Sequence, residues 1–417
     1  MKKIIYSMAI LLMGLTFTAC SSDSNNDDTN NKYKDRTYGI AAIDACANTV
    51  TQLEKANEII ATANLSADQE TYLRNVLTSL VGSVIVPTYT DLANDVEDLE
   101  KTLNGLTVGT ITQAQIDKAC TDFKQARQHW ERSEAFLMGA ASEFDIDPTI
   151  DSWPLNRSLL LNYFNNGMND EMLEDATILG FHALEFILFR NGQNRKVGEL
   201  QGNDTYVSFQ KITGAQELAY AQTICTLLKQ RCFQLQVSWE GETTANANRV
   251  AVVKAAGLDY TTANGLSFGE NLTKAGVSGS KSTFPTLKAA IAQVLSDDEG
   301  SCVGIANEVG TAKIANPFSA GDIAYVESPY SYNSITDFQD NLRSVRNVWF
   351  GSLNGSAAST SFAKFFEAVN TPVGVEAAVN DAIKKIGEIP APFVKYCSTV
   401  WGKNFDDPDN WDSFSGE

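Results

Sequence analysis

Histidine is nearly absent from this chain: His129 and His182 are the two it has, in 417 residues. No H-E-x-x-H string occurs, so the two-imidazole helix of the common zinc peptidases is missing. A serine or cysteine nucleophile would have to borrow His182 or His129. The absence of C-x-x-C removes a cysteine zinc site. Positive charge is scarce. Lys and Arg total 32 against 51 Asp and Glu, a formal net charge of −19. Such a chain is repelled by nucleic acid and anionic lipid and suits a cationic partner, although acidity also serves plain solubility. Beyond the N-terminus no apolar run reaches the length of a membrane span, so none is expected. Strand-like alternation is nowhere visible.

What is present begins with a leader. Met1-Lys-Lys-Ile-Ile is basic, Ala9 to Phe17 is apolar but short, and Phe17-Thr-Ala-Cys20 places a small residue before a cysteine. That order reads as a signal peptide over 1–19, cleaved before Cys20, with lipid carried on Cys20. The plainer alternative is an ordinary signal peptide that a cysteine happens to follow. Cleavage would also remove Lys2 and Lys3, taking the net charge to −21. Residues 20–36, rich in Ser, Asp and Asn, then form a disordered tether. The expected address is the outer membrane of a Gram-negative bacterium, on its periplasmic or its surface face. Six cysteines remain after Cys20: Cys46, Cys120, Cys225, Cys232, Cys302 and Cys397. The compartment permits disulfides, but Cys225 and Cys232 stand roughly 10 Å apart along one helix, too far to pair. Buried free thiols are expected.

The mature chain reads as helix throughout, an all-α protein of two helical-bundle domains over 37–242 and 243–417. Ser66-Ala-Asp-Gln-Glu70 opens a helix that runs toward Leu103, with Pro87 breaking or kinking it. A long helix is expected from Thr112 to about Ala141 and another from Asp204 to Glu240. On the first, Arg127, Trp130 and Glu134 share a stripe, His129 points to solvent, and Arg127 with Glu131 reads as a surface i,i+4 pair. Asp145 to Pro154 is an acidic loop without the glycine and terminal Glu of an EF-hand.

The chain is organised around Ala176 to Phe189, a helix apolar on every side except at His182 and Glu185. These lie at i and i+3, on one face about 5–6 Å apart. A carboxylate in such a setting needs a hydrogen bond, an ion pair or a metal. The bland alternative is a satisfied polar pair that fixes helix register. Gly180, two residues earlier, leaves room for close approach.

Taken together these strings resemble the imelysin family, also known as peptidase family M75. Gly180, His182 and Glu185 match its G-x-H-x-x-E motif. Trp130, Ser133, Glu134 and Ala135 match its Trp-x-x-Ser-Glu-Ala helix, and Asp151, Trp153 and Pro154 its Asp-x-Trp-Pro turn. A later segment resembles Glu327 to Asp337, with Asn341 after it. The resemblance covers most of the mature chain in order. It implies a two-domain helical fold, a site at or near the domain interface, an envelope location, a link to iron supply and partners in envelope uptake.

Three readings follow. In the first, His182, Glu185, Glu134 and Asp151 hold a divalent or trivalent metal, with iron favoured over zinc because one imidazole among carboxylates suits it. Gly180, Arg127, Ser133, Trp153, Glu327, Asp337 and Asn341 would then shape the site. In the second, the protein is an M75-type metallopeptidase, with His182 and Glu185 as candidate catalytic groups and a water on the metal. In the third, it is a non-catalytic surface or interaction lipoprotein.

Overall fold

A computed structural model describes residues 32–401, except Met168, Asp298, Gly321 and Asp322. The leader, Cys20 and the tether up to residue 31 lie outside the described residues. Among those described, helix dominates; the strands are two-residue pieces, Phe189–Arg190 paired with Gln193–Asn194.

Local sequence explains where the main helices begin. Helix α1 spans Thr37–Thr62, and α2 spans Ala67–Leu80. Helices α3 (Val86–Asn104), α4 (Gln113–Glu131), α5 (Gly180–Leu188) and α6 (Gly214–Glu240) follow. Helices α7 (Ser334–Phe350) and α8 (Val375–Glu388) lie later in the chain. Reciprocal capping boxes start α2, α4 and α6: Ser66 with Gln69, Thr112 with Gln115, Thr213 with Gln216. Each satisfies amide groups the first turn would otherwise leave open.

Four helices differ from the sequence expectation, and the first is α5, which begins at Gly180 after a separate 3₁₀ turn at Ala176–Ile178 rather than at Ala176. Pro87 does not break its helix. A π turn at Val81–Ile85 widens the backbone just ahead of it, and the rod continues from Ala67 to Asn104. That rod is long and apolar enough for a membrane span by length and composition. Its apolar stripe, including Leu73, Leu77, Leu80, Val84, Leu92, Val96 and Leu99, is buried in the protein core. Helix α4 stops at Glu131 rather than near Ala141, and a 3₁₀ turn at Glu134–Phe136 redirects the chain. Helix α6 starts at Gly214 rather than Asp204, because Asp204 is held by Arg190 and Arg195 instead of opening a helix.

Helices α3, α4 and α6 pack as one bundle, with α5 laid against α4 and α6. Helices α1, α7 and α8 and the short helix Cys302–Glu308 pack as another. Helix α1, which the sequence reading places with the first half, therefore sits on late segments of the chain. Its buried stripe of Ala42, Cys46, Leu53, Ala56 and Ile60 finds its apolar counterpart there. Helix α7 also touches α4 and the Glu134–Phe136 turn. One apolar core runs through both bundles, from Ala42 to Cys397. The six cysteines are buried free thiols.

Candidate functional site

Helix α5 is enclosed on all sides, and every one of its residues is buried. Gly180 starts it at φ +72°, where a Cβ would run into the backbone carbonyl of Ile150. The glycine thus lets α5 press against the short helix Asp147–Asp151. That approach brings His182 to Asp151. His182 Nε2 lies 3.1 Å from Asp151 Oδ1, off the line of a good hydrogen bond, and Nδ1 lies 3.4 Å from Glu185 Oε2.

Arg127, from α4, sits at the centre of the cluster. Its guanidinium donates to Asp151 Oδ1, pairs with Glu131, and donates to Glu327 Oε1 at 2.6 Å. Trp130 Nε1 donates to Asp151 Oδ2 at 2.7 Å. Glu327 belongs to the loop before α7 and carries cross-bundle charge; Lys313 Nζ reaches the same Oε1 at 3.2 Å. Asn341, on α7, donates to Glu131 Oε2. Asp337 accepts from Ser328 Oγ at 2.6 Å and from Asn333, 4.0 Å from Arg127 Nε.

Glu185 is occupied differently from a free ligand. Its Oε1 accepts from the Tyr330 amide at 3.1 Å, the Ser331 amide at 2.7 Å and Ser331 Oγ at 2.6 Å. It ties α5 to the 327–331 loop and orients the ring of His182.

Burial shapes the electrostatics. It pushes His182 down, and Arg127 pushes the same way. Asp151, with a contribution from Glu185, more than reverses both and holds the imidazolium up to about 9. Burial would raise Asp151, yet Arg127 and His182 keep it well below the usual carboxylate range. Asp337 is pushed up to about 7 by burial, against Arg127, with Glu327 adding repulsion. Asp147 also reaches about 7, through burial and the charges of Asp151 and Glu308. Burial drives Glu131 and Glu134 well above their ordinary value. Acids outnumber bases here, so the interior is short of positive charge.

Asp151, His182 and Glu327 each offer a ligand atom, all within 4.8 Å of one another. His182 Nε2 and Glu327 Oε2 are buried without a hydrogen-bond partner. One imidazole, once it gives up its proton, and two carboxylates, of which Glu327 Oε2 is free while both Asp151 oxygens already accept from Arg127 and Trp130, make a donor set that fits a hard or borderline cation.

The residues expected from sequence fall into place unevenly. His182 and Asp151 meet, as in the metal reading. Glu327, expected as wall, stands among the donors, while Glu185 is engaged by the loop and Glu134 faces the Lys313 side. Arg127 and Glu131 are not a surface pair: both are buried, because α4 turns this stripe toward α7 and the 327–331 loop. Ser133 is spent on the Trp130 carbonyl, and Trp153 Nε1 is buried without a partner. His129 is half-buried against Asp95 at 2.7 Å, away from the cluster. Lys313 was not expected. A single lysine in the apolar run Val309 to Phe318 is the signal that could have found it.

Comparison with known proteins follows the same lines. The family model described as imelysin, Peptidase_M75, matches residues 85–409. A curated relative, "Iron-regulated protein A" of Synechococcus elongatus, is 25% identical over 281 residues, 67% of this chain. The chain spans 65% of that relative's length. Among solved structures, one described as an iron-regulated protein A precursor from Parabacteroides distasonis superposes with a TM-score of 0.60 at 22% identity. That match covers 81% of this chain and 97% of the other, and is a likeness of fold. An imelysin-like protein from Psychrobacter arcticum has a TM-score of 0.45 at 13% identity, over 83% of this chain and 99% of that one.

Proposed function

Because the chain belongs to the imelysin family, peptidase M75, we propose that it is an iron-related protein that binds a metal cation at Asp151, His182 and Glu327. The observation that carries this reading is the convergence of three buried ligand groups from three separate segments, among which His182 Nε2 and Glu327 Oε2 lack a well-aligned hydrogen bond. Glu185 positions the imidazole, and Arg127 holds both carboxylates in place. Iron suits the donor set better than zinc, since among the described residues no second imidazole or thiolate joins the cluster. The printed name of the Synechococcus relative, which speaks of iron regulation, points the same way.

The peptidase reading has less support. Asp151, His182 and Glu327 are 5%, 2% and 0% exposed. A cation slips into such a site with small movements, whereas a peptide bond needs an open face. On the sequence of Met1 to Cys20, the protein is held on an outer membrane by a lipid on Cys20, where envelope uptake proteins are its partners. Cys20→Ser should move it from the membrane to the soluble fraction; unchanged fractionation removes the anchor.

The binding test is thermal unfolding of the untagged protein with ferrous iron under argon. Iron should raise the melting temperature of wild type and leave His182→Ala and Asp151→Asn unshifted. Equal shifts in all three proteins would remove the site.

A further inference from the structure

Lys313 has no role in the reading above, yet its position is costly. It is 1% exposed and belongs to Val309–Ala320, a π-helical run. Wide turns of this kind are rare and recur at functional sites. A buried ammonium is tolerated only with close partners. Lys313 Nζ lies 3.2 Å from Glu327 Oε1, 3.9 Å from Glu308 Oε1 and 5.2 Å from the centre of the Trp153 ring. Glu134 and Glu131 add to the negative field around it. These carboxylates come from the end of α4, the turn after it, the helix Cys302–Glu308 and the 327–331 loop. Packing alone asks for no charge here, since an unbranched apolar side chain fills the same volume.

The arrangement has the form of a cation already bound: a point charge surrounded by oxygen atoms from distant segments. Glu327 connects the two halves. Its Oε1 serves Lys313 and Arg127, its Oε2 is unpartnered, and it is one of the three converging donors. A metal ion placed beside the ammonium would be repelled strongly in this buried setting. Glu308, whose side chain is 35% exposed, offers the ammonium a second carboxylate 3.9 Å away.

We propose that Lys313 is a tethered place-holder: its ammonium substitutes for a bound cation at Glu327, and a metal cation binds Asp151, His182 and Glu327 by displacing it toward Glu308. This rests on the metal-binding reading of the same cluster. The lysine keeps the acidic interior neutral enough to fold when no cation is present, and it sets the concentration at which a cation enters.

The experiment is a ferrous-iron titration under argon, read as melting temperature, on wild type, Lys313→Met and Lys313→Gln. Arg132→Gln, which removes a more exposed positive charge paired with Asp340, controls for general field effects. The half-maximal iron concentration should fall roughly ten-fold or more in the Lys313 variants and stay put in Arg132→Gln. In wild type, acetylation of Lys313 followed by mass spectrometry should rise when iron is saturating. An unchanged midpoint in both Lys313 variants, an equal fall in Arg132→Gln, or unchanged acetylation overturns the place-holder. Failure of the site itself looks different: no iron response in wild type or in any Lys313 variant.

Discussion

Arg127 Nη2 donates to Glu327 Oε1 at 2.6 Å across 200 positions of sequence. The bond joins α4 to the loop before α7, and with it one helical bundle to the other. Four carboxylates depend on this guanidinium: Asp151, Glu131 and Glu327 at close range and Asp337 at 4.0 Å. Arg127→Met leaves them buried against one another. It should destabilise the fold by about 3–5 kcal/mol, the usual cost of breaking a buried ion pair from one side. Adding Glu327→Leu should restore part of the loss. Urea denaturation measures both, and additive losses would show that the two residues do not act together.

Gly180→Ala puts a methyl group into the Ile150 carbonyl at a positive φ. The expected loss is roughly 2–4 kcal/mol, from backbone strain plus overpacking. Since the same contact sets Asp151 against His182, iron stabilisation should weaken with it. A variant as stable as wild type in thermal unfolding would mean that α5 has room to retreat.

The pH dependence of stability carries the signature of His182. Its folded value, about 9, lies above its ordinary 6.5. A group raised on folding contributes fully below the unfolded value and loses that contribution as pH climbs through the folded one. Relative to His182→Gln, wild type should therefore lose on the order of 3 kcal/mol between pH 6 and about 10. Asp337 and Asp147, both near 7, act in the same direction from about pH 4 upward. Parallel pH profiles for wild type and His182→Gln would mean that the ring is neutral in the fold.

Glu185→Gln keeps the shape of the side chain but weakens a clamp that takes two amides and one hydroxyl. The Tyr330 and Ser331 amides should exchange hydrogen faster, while the melting temperature falls by a few degrees, about 2 kcal/mol for charge-assisted bonds. Unaltered exchange at those two amides would assign the loop to other contacts.

Much of this architecture was legible in the chain itself. Apolar spacing marks the helices, the run Ser66 to Glu70 marks where one of them begins, and Gly180-x-His182-x-x-Glu185 marks the buried polar pair. These signals are local: they depend on residues within one or two turns. Hidden from such reading were the wide turn that absorbs Pro87, the early end of α4 at Glu131, and the burial of Arg127 with Glu131. An i,i+4 ion pair looks the same on paper whether it faces water or protein.

The residues by themselves determined that the chain is helical, acidic, and built around an imidazole and a carboxylate in an apolar rod. Helical period and the cost of burying charge suffice for that. Only the tertiary structure decided which oxygen atoms the imidazole meets. It set Asp151 against the imidazole, brought Glu327 within 4.8 Å, gave one Glu185 oxygen to the amides of Tyr330 and Ser331, and set Lys313 beside Glu327. Such choices depend on how far-apart helices dock, and docking is governed by the fit of buried surfaces that no short window of sequence contains.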